Sequence, residues 1–130
     1  MNLIEIDKQT ALDLLERVVE MRGADYVYKK NTDSGFGLTC TYERDGEPSC
    51  AVGTALHLAG VDTDLLAEMD KLYFSYGSTG IADYETIEFL ARNGINIYDG
   101  AKHVFYEFQD KQDMGMQYDK CLNIAKAVDY

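Results

Sequence analysis

The run Glu47-Pro48-Ser49-Cys50-Ala51-Val52-Gly53-Thr54-Ala55-Leu56-His57-Leu58-Ala59-Gly60 constrains this chain more than any other stretch. Pro48 fixes its own φ and pushes Glu47 toward an extended backbone, so the chain enters the run as strand or turn. Ser49 is then placed to cap a helix, its hydroxyl accepting a free amide of the first turn. Ala51, Val52, Ala55, Leu56, Leu58 and Ala59 leave almost no polar face, which predicts a short helix buried on most sides. Gly60 is expected to stop it in a left-handed conformation, with Val61 as the apolar contact such caps favour. Just upstream, Leu38–Glu43 reads as a strand and Arg44-Asp45-Gly46 as a hairpin turn. A hairpin therefore delivers Cys50 to the start of a buried helix.

The rest of the chain is punctuated mainly by helical stripes. Ala11, Leu12, Leu14, Leu15, Val18, Val19 and Met21 repeat with a period near 3.6, with Thr10 and Asp13 as a capping pair and Gly23 as the stop. Tyr26-Val27-Tyr28 alternates and reads as a short strand, and Lys29–Gly37 as a loop. Asp62 is placed to cap a helix through Leu65, Leu66, Met69, Leu72, Tyr73 and Tyr76; Ile81 and Asp83 open another, with Ile87, Leu90 and Ala91 inward and Gly94 as its stop. Asp99 is expected to cap a helix carrying Val104, Phe105 and Phe108, and Tyr118, Cys121, Leu122, Ala125 and Val128 share a face of the last one. The fold class that follows is α+β: mostly helical, about five helices, with a small antiparallel sheet near residues 26–50, in a single domain over residues 1–130.

Composition bounds the function. The net charge is −11, so no basic surface is available to displace counterions from nucleic acid, and direct nucleic-acid binding is not expected. The acids gather in residues 36–70, where Glu43, Asp45, Glu47, Asp62, Asp64, Glu68 and Asp70 face Arg44 alone. Met1–Glu5 has no basic region followed by a long apolar run, and the apolar run around Ala51–Val61 is too short to span a bilayer; the expectation is a cytoplasmic protein without a membrane segment. Three cysteines, Cys40, Cys50 and Cys121, at unrelated spacings read as reduced thiols.

Several residues invite chemistry. A cysteine at a helix N-terminus is a known way to stabilise a thiolate, and His103 is the candidate base for Cys50. The order superficially resembles NlpC/P60-type and papain-like hydrolases, but the histidine falls in a helical stripe rather than at the start of a strand. A buried small thiol is the favoured reading, leaving no catalytic residue expected and Cys50 with His103 as the alternative. Cys40, Cys50, His57 and His103 lack zinc-site spacing, and Asp62, Asp64 and Glu68 lack the glycine of a calcium loop, so neither metal nor cofactor is expected. The pairs Asp110/Asp113 and Glu85/Glu88 read as solvated helix faces. Tyrosines number ten with no tryptophan, and Tyr73-Phe74-Ser75-Tyr76 places three rings at a helix end. Rigid rings beside acids favour protein contacts, so Tyr73, Phe74 and Tyr76 with Asp62, Asp64, Glu68 and Asp70 form the candidate partner-binding set.

From Pro48 to Gly60 the chain resembles small uncharacterised proteins of actinobacteria and their phages, which share a P-x-C-x-V-G-x-A-L-x-x-x-G core. Gly94-Ile95, Ala101 and Gln109-Asp110-Lys111-Gln112-Asp113-Met114-Gly115 are similar too, although an aromatic, often Trp, stands in those proteins where Tyr118 stands here. Phe108-Gln109-Asp110 also departs from their alanine-rich pattern. The resemblance covers about half of the chain, implies a shared fold and a bacteriophage or bacterial accessory protein, and brings no catalytic residue with it. The leading expectation is a non-enzymatic protein that binds a host or phage protein through an acidic, tyrosine-rich surface. The alternatives are a cysteine-dependent hydrolase using Cys50 and His103, and an acidic DNA mimic that inhibits a DNA-binding protein.

Overall fold

In a computed structural model of the chain, residues 3–28, 41–76, 81 and 83–129 are described, with residues 73–76 described by their backbone alone. The elements run β1 (Ile4–Ile6), α1 (Lys8–Arg22), β2 (Glu43–Arg44), β3 (Glu47–Pro48), α2 (Ala51–Leu58), α3 (Thr63–Tyr76), α4 (Tyr84–Arg92), β4 (Ile95–Ile97), α5 (Asp99–Asp113) and α6 (Tyr118–Lys126). The fold is α+β and mostly helical, with six helices and the small antiparallel β2–β3 ladder among the described residues.

α1 is the hub. Its apolar stripe, Ala11, Leu14, Leu15 and Val18, is buried against α2, α5 and α6. From the other side come Ala101, Val104, Phe105 and Phe108 of α5 and Tyr118, Cys121, Leu122 and Ala125 of α6. α2 has a buried residue at every position from Ala51 to Leu56, as its missing polar face requires. It stops as a Schellman motif: the Gly60 amide donates to the His57 carbonyl at 3.0 Å and the Val61 amide to the Leu56 carbonyl at 3.0 Å, with Gly60 at φ 112 and Val61 buried. The hairpin turn puts Asp45 at φ 54 and Gly46 at φ 82, the paired left-handed residues that match the twist of a two-residue hairpin.

Four local expectations are corrected. Tyr26–Tyr28 is not a strand, because nearby carbonyls are used elsewhere: Tyr118 N–H donates to Tyr26 O and Asp119 N–H to Ala24 O, each at 2.9 Å, satisfying the open start of α6. Asp7, not Thr10, caps α1, its carboxylate accepting the Thr10 amide at 2.8 Å; that bond also holds the Asp7 pKa below its ordinary value. Cys50, not Ser49, is the N-cap of α2, since the Ser49 hydroxyl is paired with the Tyr28 hydroxyl at 2.8 Å. Asp99 lies one residue inside α5; Tyr98 is the N-cap, and its side chain donates to Glu5 instead of capping. The structure also adds a second sheet, the parallel pair β1–β4 with Ile4, Glu5 and Ile6 opposite Ile95, Asn96 and Ile97. Each strand has only three residues, too few for alternation to mark in the sequence.

The hairpin packs onto α2 at one point of unusual closeness. A Cβ built on Gly53 would stand 2.2 Å from the Tyr42 carbonyl oxygen and 2.9 Å from its carbon, both of them backbone atoms that cannot swing aside. Gly53→Ala is therefore expected to force hairpin and helix apart and to cost about 3 kcal/mol or more. Urea unfolding of the two proteins measures this; a loss under about 1 kcal/mol would show that the contact yields easily.

Candidate functional site

The two stretches that the sequence singles out, residues 48–60 and 109–115, meet at the start of α2. Gln112, fully buried near the end of α5, accepts the Ala51 amide through Oε1 at 2.9 Å and the Tyr118 hydroxyl through the same atom at 2.7 Å. Its Nε2 donates to Asp113 at 3.1 Å. Tyr118 is held edge-on between Tyr26 and Phe108, with centroid distances of 4.9 and 5.2 Å. A helix N-terminus with its free amides is thus closed by a buried side chain from a different helix. Sequence reading groups Gln112 with a motif and gives it no role. Its signal is positional: it lies one turn beyond Phe108, continuing the buried stripe, so a glutamine there must find partners.

Cys50 is fully buried, and its Sγ accepts the Gly53 amide at 3.4 Å. Thr54 donates its hydroxyl to Cys50 O at 2.8 Å and accepts Arg22 Nη2 at 3.1 Å. Arg22 also donates to Ser49 O at 3.2 Å and lies over the Tyr26 ring, tying the end of α1 to the start of α2. Its guanidinium forms one wall of a groove of about 410 Å³ with Tyr26, Tyr28, Arg44, Ser49 and the hairpin turn.

His103 is elsewhere. Gln112, which touches Ala51, lies nine residues further along α5, about 13.5 Å at the rise of an α-helix, so Cys50 and His103 are not brought together. His57 is exposed on α2, its Nδ1 3.0 Å from Val61 O. Cys121 is buried, donates to Met116 O at 3.5 Å, and has its thiol pushed up to about 11 by burial. Cys40 lies outside the described residues. Among the described residues no group of three or more His, Cys, Asp or Glu is placed to hold a metal ion, and no helix is long and apolar enough to cross a membrane.

The partner-binding set divides. Asp62 and Asp64 are exposed at the start of α3, where Asp62 accepts the Asp64 amide at 2.8 Å. Glu68 is exposed and paired with Lys71 at 3.0 Å. The side chains of Tyr73, Phe74 and Tyr76 lie outside the described residues. Asp70 turns inward: its two oxygens accept the Tyr42 and Glu43 amides at 2.9 and 3.1 Å, pinning the hairpin to α3. The most exposed ring among the described residues, and one that sequence reading misses, is Tyr84, the first residue of α4, which is 75% exposed. It donates to Glu88, and that bond raises the Tyr84 pKa. Beside it Glu85, Glu88 and Arg92 of α4 face Leu72 of α3 across a groove of about 300 Å³.

Comparison of the chain with family models, with curated proteins and with solved structures gives no match.

Both buried thiols should be inert. Cys50 and Cys121 in the native protein are expected to react with a thiol probe more than about 100-fold slower than in urea, because reaction requires opening of the core. Peptide mass spectrometry resolves each site, and fast labelling of Cys50 in the native state would restore it as a nucleophile. A second expectation concerns Asp70. Burial, opposed by the two amide bonds and reinforced by Glu43, lifts its carboxyl from 3.8 to about 7. The folded state then holds the proton more tightly than the unfolded one, so the stabilisation is full below the ordinary value and is lost as pH rises toward 7. Relative to Asp70→Asn, which does not titrate, the wild type should lose ground between about pH 4 and about pH 7 in urea unfolding. A gap that stays constant or moves the other way would show Asp70 ionised throughout.

Proposed function

We propose that this chain is a non-enzymatic accessory protein, phage-associated as its motif resemblance implies, that acts in the cytoplasm by binding another protein. The surface is acidic and tyrosine-rich, and runs from Asp62, Asp64 and Glu68 on α3 to Tyr84, Glu85 and Glu88 on α4. The observation that supports it best is Tyr84, a large ring left 75% exposed and bonded to Glu88, which lines a groove with Leu72, Glu85 and Arg92. An aromatic ring gives rigid contact area at small entropic cost, and the surrounding acids select a partner of opposite charge. Tyr73, Phe74 and Tyr76, in the last turn of α3 in sequence, are proposed as part of the same binding set. The thiol-hydrolase reading has lost its support, since the nucleophile is buried and its base is not beside it.

The test is affinity capture from host lysate with the wild type and with a Tyr84→Ala, Glu88→Lys double variant whose fold is verified by circular dichroism. A partner retained by the wild type and lost by the variant is the expected result. Reversing Asp64 and Glu68 to lysine should then slow association about tenfold at low salt and change dissociation little. A partner held equally by all variants would move the binding face off α3 and α4.

A further inference from the structure

A second groove lies between α5 and the end of α6. His103 and Glu107 line it from α5, and Ile124, Ala127, Val128 and Asp129 from the other side, enclosing about 360 Å³. Ile124, Ala127 and Val128 make an apolar wall, and Glu107 and Asp129 supply carboxylates. Neither acid forms an ion pair among the described residues. A third source of negative potential is the C-terminal end of α6, which stops at Lys126 with Ala127 as its cap and carries the negative end of the helix dipole.

The chain's own residues display what this end of α6 accepts. Lys8, from the first turn of α1, donates its Nζ to the Val128 carbonyl at 2.6 Å. Lys126, in the last turn of α6, is engaged with Glu16 at 3.2 Å. One ammonium is therefore already held by a single carbonyl of the groove wall, while neither carboxylate has an ion pair among the described residues; Lys111, one turn along α5 from Glu107, is bonded to Asp110 instead. An apolar wall with an anionic rim is complementary to a long basic side chain, whose methylene stem covers the wall while its head reaches the acids. A net charge of −11 favours approach of such a group from any direction.

We propose that the groove formed by Glu107, Ile124, Ala127, Val128 and Asp129 seats one arginine or lysine side chain of a basic segment on a protein partner. This rests on the reading of the chain as a protein-binding module and adds the chemistry of the partner and a second point of attachment.

The probe is N-acetyl-argininamide, titrated into the labelled protein and followed by amide NMR shifts, with the uncharged isostere N-acetyl-citrullinamide as control. Saturable shifts confined to residues 103–107 and 124–129, at least about fivefold weaker with the citrulline probe, are expected. Glu107→Gln and Asp129→Asn should each weaken the arginine probe about threefold, with the rest of the spectrum unchanged. Equal binding of both probes would overturn the proposal, since the acids would then contribute nothing. Shifts falling on Glu68, Glu85 and Glu88 instead would overturn the groove and leave the α3–α4 binding face standing. Shifts at the groove on raising protein concentration alone would assign it to a second copy of the chain, and would overturn it as well. No shift at any residue would overturn it too, while the capture experiment would still decide the wider reading on its own.

Discussion

The start of α2 is where the structure has least freedom. A helix buried on nearly every side cannot leave its first amides to water, so each must be met from within the protein. Ala51 donates to Gln112, Gly53 to the Cys50 sulfur, Thr54 to the Cys50 carbonyl, and Cys50 itself to Thr41 O across the hairpin. These bonds draw together three segments that are distant in sequence: the hairpin, α2 and the end of α5. Arg22 adds the end of α1. The packing of α1, α5 and α6 is ordinary helix-on-helix burial, but the orientation of α2 within it is specified by this polar set. Stranding a buried polar group without its partner is more costly than trimming a methyl group from the core, so the set is expected to be satisfied together or not at all.

Acidic residues serve two opposite purposes here. Most remain in water, as exposed caps and helix-face residues such as Asp7, Asp62 and Asp64, where their charge costs little. Asp70 alone of the candidate partner-binding acids is drawn inward, where it exchanges hydration for two backbone amides. That exchange is unfavourable for a charge and favourable for the chain geometry, because two consecutive amides at the edge of a short hairpin have no strand to pair with. Acids at neighbouring positions thus supply surface potential at Glu68 and internal structure at Asp70. Net charge cannot separate the two uses; only the path of the hairpin over α3 does.

How much of this is legible in the sequence follows from the range over which each signal acts. The buried helix at Ala51–Leu58, its glycine stop and the hairpin ahead of it rest on neighbours a few residues apart, and all three are readable. The helical stripes are readable for the same reason, and so are Asp62 and Asp83 at the starts of α3 and α4; the caps of α1, α2 and α5 are not. Caps are decided by competition: Ser49 is a good cap in isolation, yet Tyr28 claims its hydroxyl and the sulfur of Cys50 takes over. Gln112 and Tyr84 escape sequence reading for complementary reasons. The first is polar on a buried stripe, a conflict that periodicity marks without naming a partner 61 residues away. The second is a large ring at a helix start, and nothing local tells whether such a ring will be covered. The Cys50–His103 pairing fails on distance along α5, which depends on where α2 docks.

The parallel pairing of β1 with β4 has a consequence for the order in which the chain assembles. Ile4 and its ladder partner, Ile95, are separated in the chain by α1 through α4. Parallel strands cannot be joined by a tight turn, so this contact closes a loop over most of the molecule, an entropic cost that only a largely collapsed chain can offset. The opening strand must therefore wait, unpaired, while the helices between it and its partner condense. During that interval Leu3, Ile4 and Ile6 present a short apolar edge, and β1 and β4 are among the last elements to reach their native neighbours.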